Sequence, residues 1–189
     1  MPSGSAYEHL NFEPAITQEE ADKALKKSGD LVWVETIIQS TPAAVQEKLL
    51  DFSSWSKWNL VIPRVDIADP DANGKLKDIS TRPKLKVYLD FEKTGKPMTA
   101  EPIVVLNDER GFGWGLKVLG GSIVKADHVF LTMPHDDGKA TRFIHYERAT
   151  GAFGFFMKHF SHKSMMNAYK EFNESLKKYV EEGSKAESA

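Results

Sequence analysis

The chain has 189 residues, 41% of them hydrophobic, which is enough for one packed core and short for two. Its 25 basic residues are interleaved with 27 acidic ones for a formal net charge of -2, so no one-signed field exists to attract nucleic acid, and that partner class is excluded. Cysteine is absent, which removes disulfide scaffolds, thiolate metal sites and cysteine nucleophiles together.

Residues 1–30 read as an N-terminal extension. They lack the basic and apolar stretches of an export signal, and no later apolar run approaches the ~18 residues that cross a bilayer. The expectation is a cytoplasmic protein without stable membrane insertion. Thr17-Gln-Glu-Glu20 has the spacing of a capping box ahead of a short helix that ends near Lys27-Ser-Gly29. From Leu31 the run LVWVETIIQ is rich in β-branched residues and predicts a first strand, with Val34, Thr36 and Ile38 on one face. Ser40-Thr41-Pro42 then starts a helix over Ala43–Asp51, because Thr41 can cap free N–H groups and Pro42 sits where its own is not needed. In Phe52–Asn59, Trp55 and Trp58 are three apart, which puts both rings on one side of a second helical turn.

The middle of the chain predicts a series of strands separated by turns: Pro63–Ala68, Lys75–Ile79, Lys84–Thr94, Glu101–Asn107, Gly111–Lys117, Asp127–Met133 and Ala140–Arg148. Their short, regular spacing fits an antiparallel meander rather than alternating βαβ units. After Gly151 a helical pattern runs for nearly thirty residues. Met165, Ala168, Phe172, Leu176 and Tyr179 recur at steps of three and four, a stripe wide enough to pack on a sheet. Residues 183–189 read as a flexible tail.

A strand, two short helices, six or seven antiparallel strands and a long terminal helix form an order that resembles the START-like superfamily, which includes polyketide cyclase/dehydrase and lipid-transport proteins. Ile38-x-Ser-Thr-Pro-x-x-Val45, Asp51 and Trp55-x-x-Trp58-Asn59 resemble its opening. Met98-Thr99, Pro102-x-Val104, Trp114, Asp127-His128-x-Phe130, Thr141-x-Phe143-x-His145-x-Glu147 and Gly151 resemble its second half. The resemblance covers about Leu31 to Val180 and implies an α+β helix-grip fold over residues 31–182, with a curved antiparallel sheet around the C-terminal helix and an apolar cavity between them. The glycine-rich phosphate-like loop of the pollen-allergen branch is missing; the nearest turn, Asp69–Gly74, has one glycine.

Gly111-Phe-Gly-Trp-Gly115 has no helix after it and lacks dinucleotide-binding spacing, so sharp bending or close backbone approach explains it better than a phosphate loop. A hairpin turning at Pro134–Lys139 would pair His128 with His145 and Phe130 with Phe143, with Glu147 diagonal to His128. Two imidazoles and a carboxylate on one face fit three roles: a polar cluster that orients itself or a ligand, acid/base chemistry, or metal binding. His159 and His162 have no acidic partner one turn away and read as a solvated face. Asn173-Glu-Ser175 matches a glycosylation acceptor but lies within the long helix. Gly151-Ala-Phe-Gly-Phe-Phe-Met157 reads as a gate over the cavity mouth.

Function is then expected to be binding or transfer of a small apolar molecule of polyketide, quinone or lipid class. Trp55, Trp58, Phe91, Trp114, Phe130, Phe143, Phe153, Phe156, Met157, Phe160 and Met165 are the candidate ligand-binding residues, and His128, His145 and Glu147 would orient the ligand. The alternative is a cyclase/dehydratase-like lyase or isomerase in which His145 is the base and His128 or Glu147 orients it. No cofactor or resident metal is implied, and the sequence leaves the oligomeric state open.

Overall fold

Strand β1 (Leu31–Ile38) sets the two-sided pattern that organises the molecule. Its Val32, Val34 and Ile38 enter the main core, while Leu31 and Trp33 enter a second apolar cluster on the opposite face. The computed structural model describes residues 9–12, 14–28, 31–91, 93–156 and 162–187. Helix α1 (Gln18–Ser28) precedes β1 and opens with the expected capping box: Glu20 N donates to Thr17 Oγ1 at 3.2 Å, and the Glu20 carboxylate takes the N–H of Thr17 at 3.0 Å.

Helix α2 (Pro42–Leu50) is capped by Thr41, whose hydroxyl accepts from Ala44 N at 3.3 Å, with Pro42 at the first position. A 3-10 turn and the single helical turn α3 (Trp55–Trp58) follow. Asn59 then redirects the chain, its Oδ1 accepting from Val61 N and Ile62 N at 3.0 and 2.9 Å.

The remaining strands are β2 (Arg64–Ile67), β3 (Leu85–Leu89), β4 (Met98–Ala100), β5 (Ile103–Asp108), β6 (Gly111–Val118), β7 (Val124–His135) and β8 (Ala140–Thr150). All pairings are antiparallel. One sheet runs β1-β8-β7-β6-β5 and the other β2-β3-β4. An isolated bridge between Lys84 and Ile103 joins them, flanked by Leu85 N to Pro102 O at 3.0 Å and Val104 N to Pro83 O at 2.9 Å.

Seven strands follow the two short helices, at the upper end of the expected six or seven, and Pro102, which has no N–H to donate, separates the short β4 from β5. Two expected strands change. Lys75–Ile79 is not a strand: the Asp71 carboxylate takes Asn73 N and Lys75 N and winds this stretch into a turn. Lys84–Thr94 shortens to Leu85–Leu89 because the Asp90 carboxylate draws Thr94 N and Gly95 N back at 2.9 and 2.7 Å.

Helices α4 (Gly151–Phe156) and α5 (His162–Glu187) close the fold. Helix α5 lays Met165, Ala168, Tyr169, Phe172, Leu176 and Val180 on the inner face of the larger sheet. Each fully buried large apolar side chain there contributes roughly 1.5–3 kcal/mol of transfer free energy. The helix continues through Gly183 to Glu187, past the expected start of the tail. Among the described residues, no helix is long and apolar enough to cross a membrane.

The β7–β8 turn is tighter than the sequence suggests. His135 still pairs with Ala140, and Asp136 and Asp137 adopt positive φ (50° and 51°) ahead of Gly138. His128 therefore faces Glu147, and Phe130 faces His145, two residues from the expected register. An even displacement keeps every side chain on its face, so the cluster survives with new partners. The glycines of β6 mark close approach, as expected: a Cβ on Gly111, at φ 148°, would overlap the Phe130 carbonyl oxygen.

Candidate functional site

A cavity of about 220 Å³ lies between the β3–β4 pair, the inner faces of β6 and β7, and α4. Its wall is apolar, from Val87, Leu89 and Phe91 on one side to Trp114, Leu116 and Ala126 on the other, with Phe153 from α4 against them. Three polar side chains interrupt it: Thr99, His128 and Glu147.

Behind His128 and Glu147 stands a buried hydrogen-bonded cluster that joins the sheet to α5. His128 from β7, with His145 and Glu147 from β8, alternate onto the inner face. The Nε2 atoms of the two histidines are 2.8 Å apart. His145 Nδ1 lies 3.0 Å from Asn173 Oδ1. On the other side Tyr169 donates its hydroxyl proton to Glu147 Oε2, and His128 Nδ1 lies 3.3 Å from both that oxygen and the Tyr169 oxygen. Trp114 stacks on the His128 ring at 4.7 Å, and Tyr169 stacks on His145 at 4.0 Å, which fixes both ring planes.

Burial and the neighbouring His128 hold the His145 pKa well below its ordinary value, although the Asn173 hydrogen bond opposes this. His145 is thus a neutral imidazole. Burial and the Glu147 carboxylate push the Tyr169 hydroxyl well above its ordinary value, so it stays a proton donor. The 2.8 Å separation of the histidine nitrogens is a hydrogen-bond distance, shorter than the roughly 3.3 Å that two nitrogens keep on one tetrahedral zinc ion. Among the described residues, no group of three or more His, Asp or Glu side chains is placed to hold a metal ion.

Of the residues singled out from the sequence, Phe91, Trp114, Phe153, His128 and Glu147 line this cavity. His145 lies behind it, fully buried, with both ring nitrogens engaged. Trp55, Phe130, Phe143 and Met165 are core residues, and the Trp55 indole N–H donates to Leu49 O at 2.8 Å. Trp58 is half-buried and stacks on Tyr179 at 5.9 Å. Phe156 ends α4, but its side chain, like Met157, His159 and Phe160, lies outside the described residues. His162 is tied to the Leu31 carbonyl oxygen at 3.0 Å. Sequence reasoning missed Tyr169 and Asn173 as members of the cluster. Their signal was present: two polar groups four apart on the apolar stripe of a helix.

No family model and no curated protein sequence matches the chain. Solved structures do. A hypothetical protein from Helicobacter pylori superposes with a TM-score of 0.63 at 18% identity, over 90% of this chain and 99% of that one. A START superfamily protein from Mycobacterium smegmatis gives 0.59 at 15% identity, over 80% and 97%. The Zhui aromatase/cyclase from Streptomyces sp. R1128 gives 0.58 at 12% identity, over 80% and 93%.

The chain has the START-like helix-grip fold.

In START-like terms, α5 is the gripped helix and the larger sheet is the grip. Leu10, Asn11, Ala15, Ile16, Ala21 and Ala24 of the N-terminal extension lie on the opposite, outer face of that sheet. There Ala15 and Ala21 pack with Trp33, Val129, Leu131, Ile144 and Tyr146, and Trp33 Nε1 donates to Ala15 O at 2.9 Å. Asp127, one residue before His128 and so on the opposite face, accepts from Asn11 Nδ2 and Phe12 N, both at 2.8 Å. Burial pushes its carboxyl up to about 6 against those two hydrogen bonds. The outer and inner faces of this START-like sheet thus carry separate polar clusters on adjacent residues of β7.

Proposed function

We propose that the protein binds a small hydrophobic molecule in the cavity described above, with His128 and Glu147 at its polar end. The observation that carries this reading is the wall itself: apolar but for Thr99 and for the point where the carboxylate and imidazole meet. That is the usual composition of a small-molecule site, in which apolar contact gives affinity and a few polar groups give orientation. The START-like fold supports the reading by placing a helix at a distance from a curved sheet.

The volume narrows the class. An apolar cavity of about 150 Å³ admits benzene, so about 220 Å³ suits one or two fused rings or a short chain. The polyketide, quinone and lipid classes are reduced to their smaller members, and a two-chain lipid is too large for this cavity alone.

A second reading, a cyclase or dehydratase of lyase or isomerase type, draws on the buried Tyr169–Glu147–His128–His145–Asn173 chain of hydrogen bonds. Under it, the proton-transferring group is His128 or Glu147, which reach the cavity, and His145 positions them.

The test is a cavity-filling substitution. Ala126→Phe adds a ring to the wall at a position lined by the cavity. The unmodified protein is expected to release an apolar passenger on denaturing extraction after native mass spectrometry, or to bind added naphthalene derivatives. Ala126→Phe is expected to do neither while unfolding cooperatively. Equal binding by both proteins would overturn the assignment of this cavity.

A further inference from the structure

The proton order of the buried cluster determines which kind of ligand group its cavity-facing end can accept. Asn173 donates from Nδ2 to Thr36 Oγ1 at 3.3 Å, so its Oδ1 is the atom that meets His145, and His145 Nδ1 carries a proton. His145 is fully buried and neutral, so its Nε2 has a lone pair instead, and the proton in the 2.8 Å contact belongs to His128 Nε2. Tyr169 directs its single proton to Glu147 Oε2. His128 Nδ1 points at that same oxygen and at the Tyr169 hydroxyl. The Tyr169 hydroxyl proton and the imidazole protons so placed are therefore held inside the cluster.

One strong acceptor remains outside this closed set. Glu147 is 9% exposed and lines the cavity, and its second oxygen, Oε1, has no hydrogen-bond partner among the described residues. The Trp114 indole N–H on the same wall has no acceptor among them either.

We infer that Glu147 Oε1 receives the hydroxyl of a small cyclic alcohol or phenol whose ring lies among Phe91, Trp114 and Phe153. The inference rests on the cavity reading and specifies its ligand. A carbonyl or ether set against the carboxylate brings lone pair against lone pair and leaves Oε1 unpaired, which is costly in a dry site. An ammonium brings three protons to one free oxygen. A hydroxyl brings one proton, and its own lone pairs remain for the Trp114 N–H.

The experiment is calorimetric titration with four probes of matched size: 2-naphthol, 2-methoxynaphthalene, 2-tetralone and 2-aminotetralin. The expected result is that 2-naphthol binds roughly ten- to a hundredfold more tightly than the ether and the ketone, the range of a hydrogen bond to a charged group. Glu147→Gln is expected to bring 2-naphthol to within about threefold of 2-methoxynaphthalene. If Glu147→Gln does not fold, the ratio in the unmodified protein decides alone. Equal or tighter binding of the ether or ketone overturns the hydroxyl assignment and leaves the cavity reading standing. Tighter binding of 2-aminotetralin than of 2-naphthol overturns it in favour of a cation. Failure of all four probes to bind overturns the cavity reading along with it.

Discussion

Asp127→Asn tests the outer polar cluster without changing its shape. Asp127 has no exposed surface, and its carboxyl is pushed up from the ordinary carboxylate range to about 6, burial being the main cause. A carboxyl whose folded-state pKa is raised binds its proton more tightly in the folded state than in the unfolded chain. Its stabilising contribution is therefore present at low pH and is lost as pH rises through about 6. Integrated from pH 5 to pH 8, this loss is roughly 1–2 kcal/mol. Asn is neutral throughout, so the variant should lack this decline, although it loses hydrogen-bond acceptance from Phe12 N or Asn11 at every pH. Comparing the pH dependence of the two proteins cancels that constant cost. The assay is urea unfolding of both, followed by tryptophan fluorescence at pH 5 and pH 8. Parallel profiles would refute the reasoning. A natural protein that gained on the variant towards pH 8 would show instead that the Asn11 and Phe12 hydrogen bonds, aided by nearby Lys125, outweigh burial.

Gly115→Ala should loosen the same region. Its Cβ would lie 3.0 Å from Asp127 Oδ1, 3.1 Å from Val105 Cγ1 and 3.3 Å from Asn11 Nδ2. The expected cost is about 1–3 kcal/mol, with faster proteolytic cleavage inside residues 9–28 as the local sign. Phe172→Ala should cost about 3–5 kcal/mol in equilibrium unfolding, because its buried ring packs with Trp55, Trp58, Phe130 and His145 at once. His145 should remain a neutral, Nδ1-protonated imidazole at the pH, near 6.5, where an ordinary histidine is half protonated. Nitrogen-15 spectra of the side chain check this, and conversion to an imidazolium above pH 6 would contradict the burial argument.

The parity of the strands was legible in the sequence because alternation is local. His128, Phe130, Phe143, His145 and Glu147 were placed on one face, and the structure keeps them there. Which residue faces which was not legible, because it depends on how few residues the turn needs. Asp136 and Asp137 take up left-handed conformations that shorten the Pro134–Lys139 turn, and pattern reasoning had no term for that. The long helix could be read from its stripe, yet its contribution to the site could not, since Tyr169 and Asn173 meet His145 and Glu147 across about two dozen residues of chain. Asn173 drew notice only as a glycosylation pattern; it is fully buried and orients His145. The aromatic residues divided between core and cavity by small differences in strand curvature, which composition does not encode. For the N-terminal extension the sequence supplied the α1 capping box but not its docking place, because the apolar face it covers is assembled from β1, β7 and β8.

That docking has a practical consequence for anyone shortening the protein. Trimming the chain to begin at Leu31 would keep the gripped helix, the cavity and the whole inner cluster. It would also uncover Trp33, Val129, Leu131, Ile144 and Tyr146 together as a greasy plateau on the back of the sheet. The shortened protein would carry an intact pocket on one side and a self-adhesive surface on the other, so its solubility would fail before its fold did.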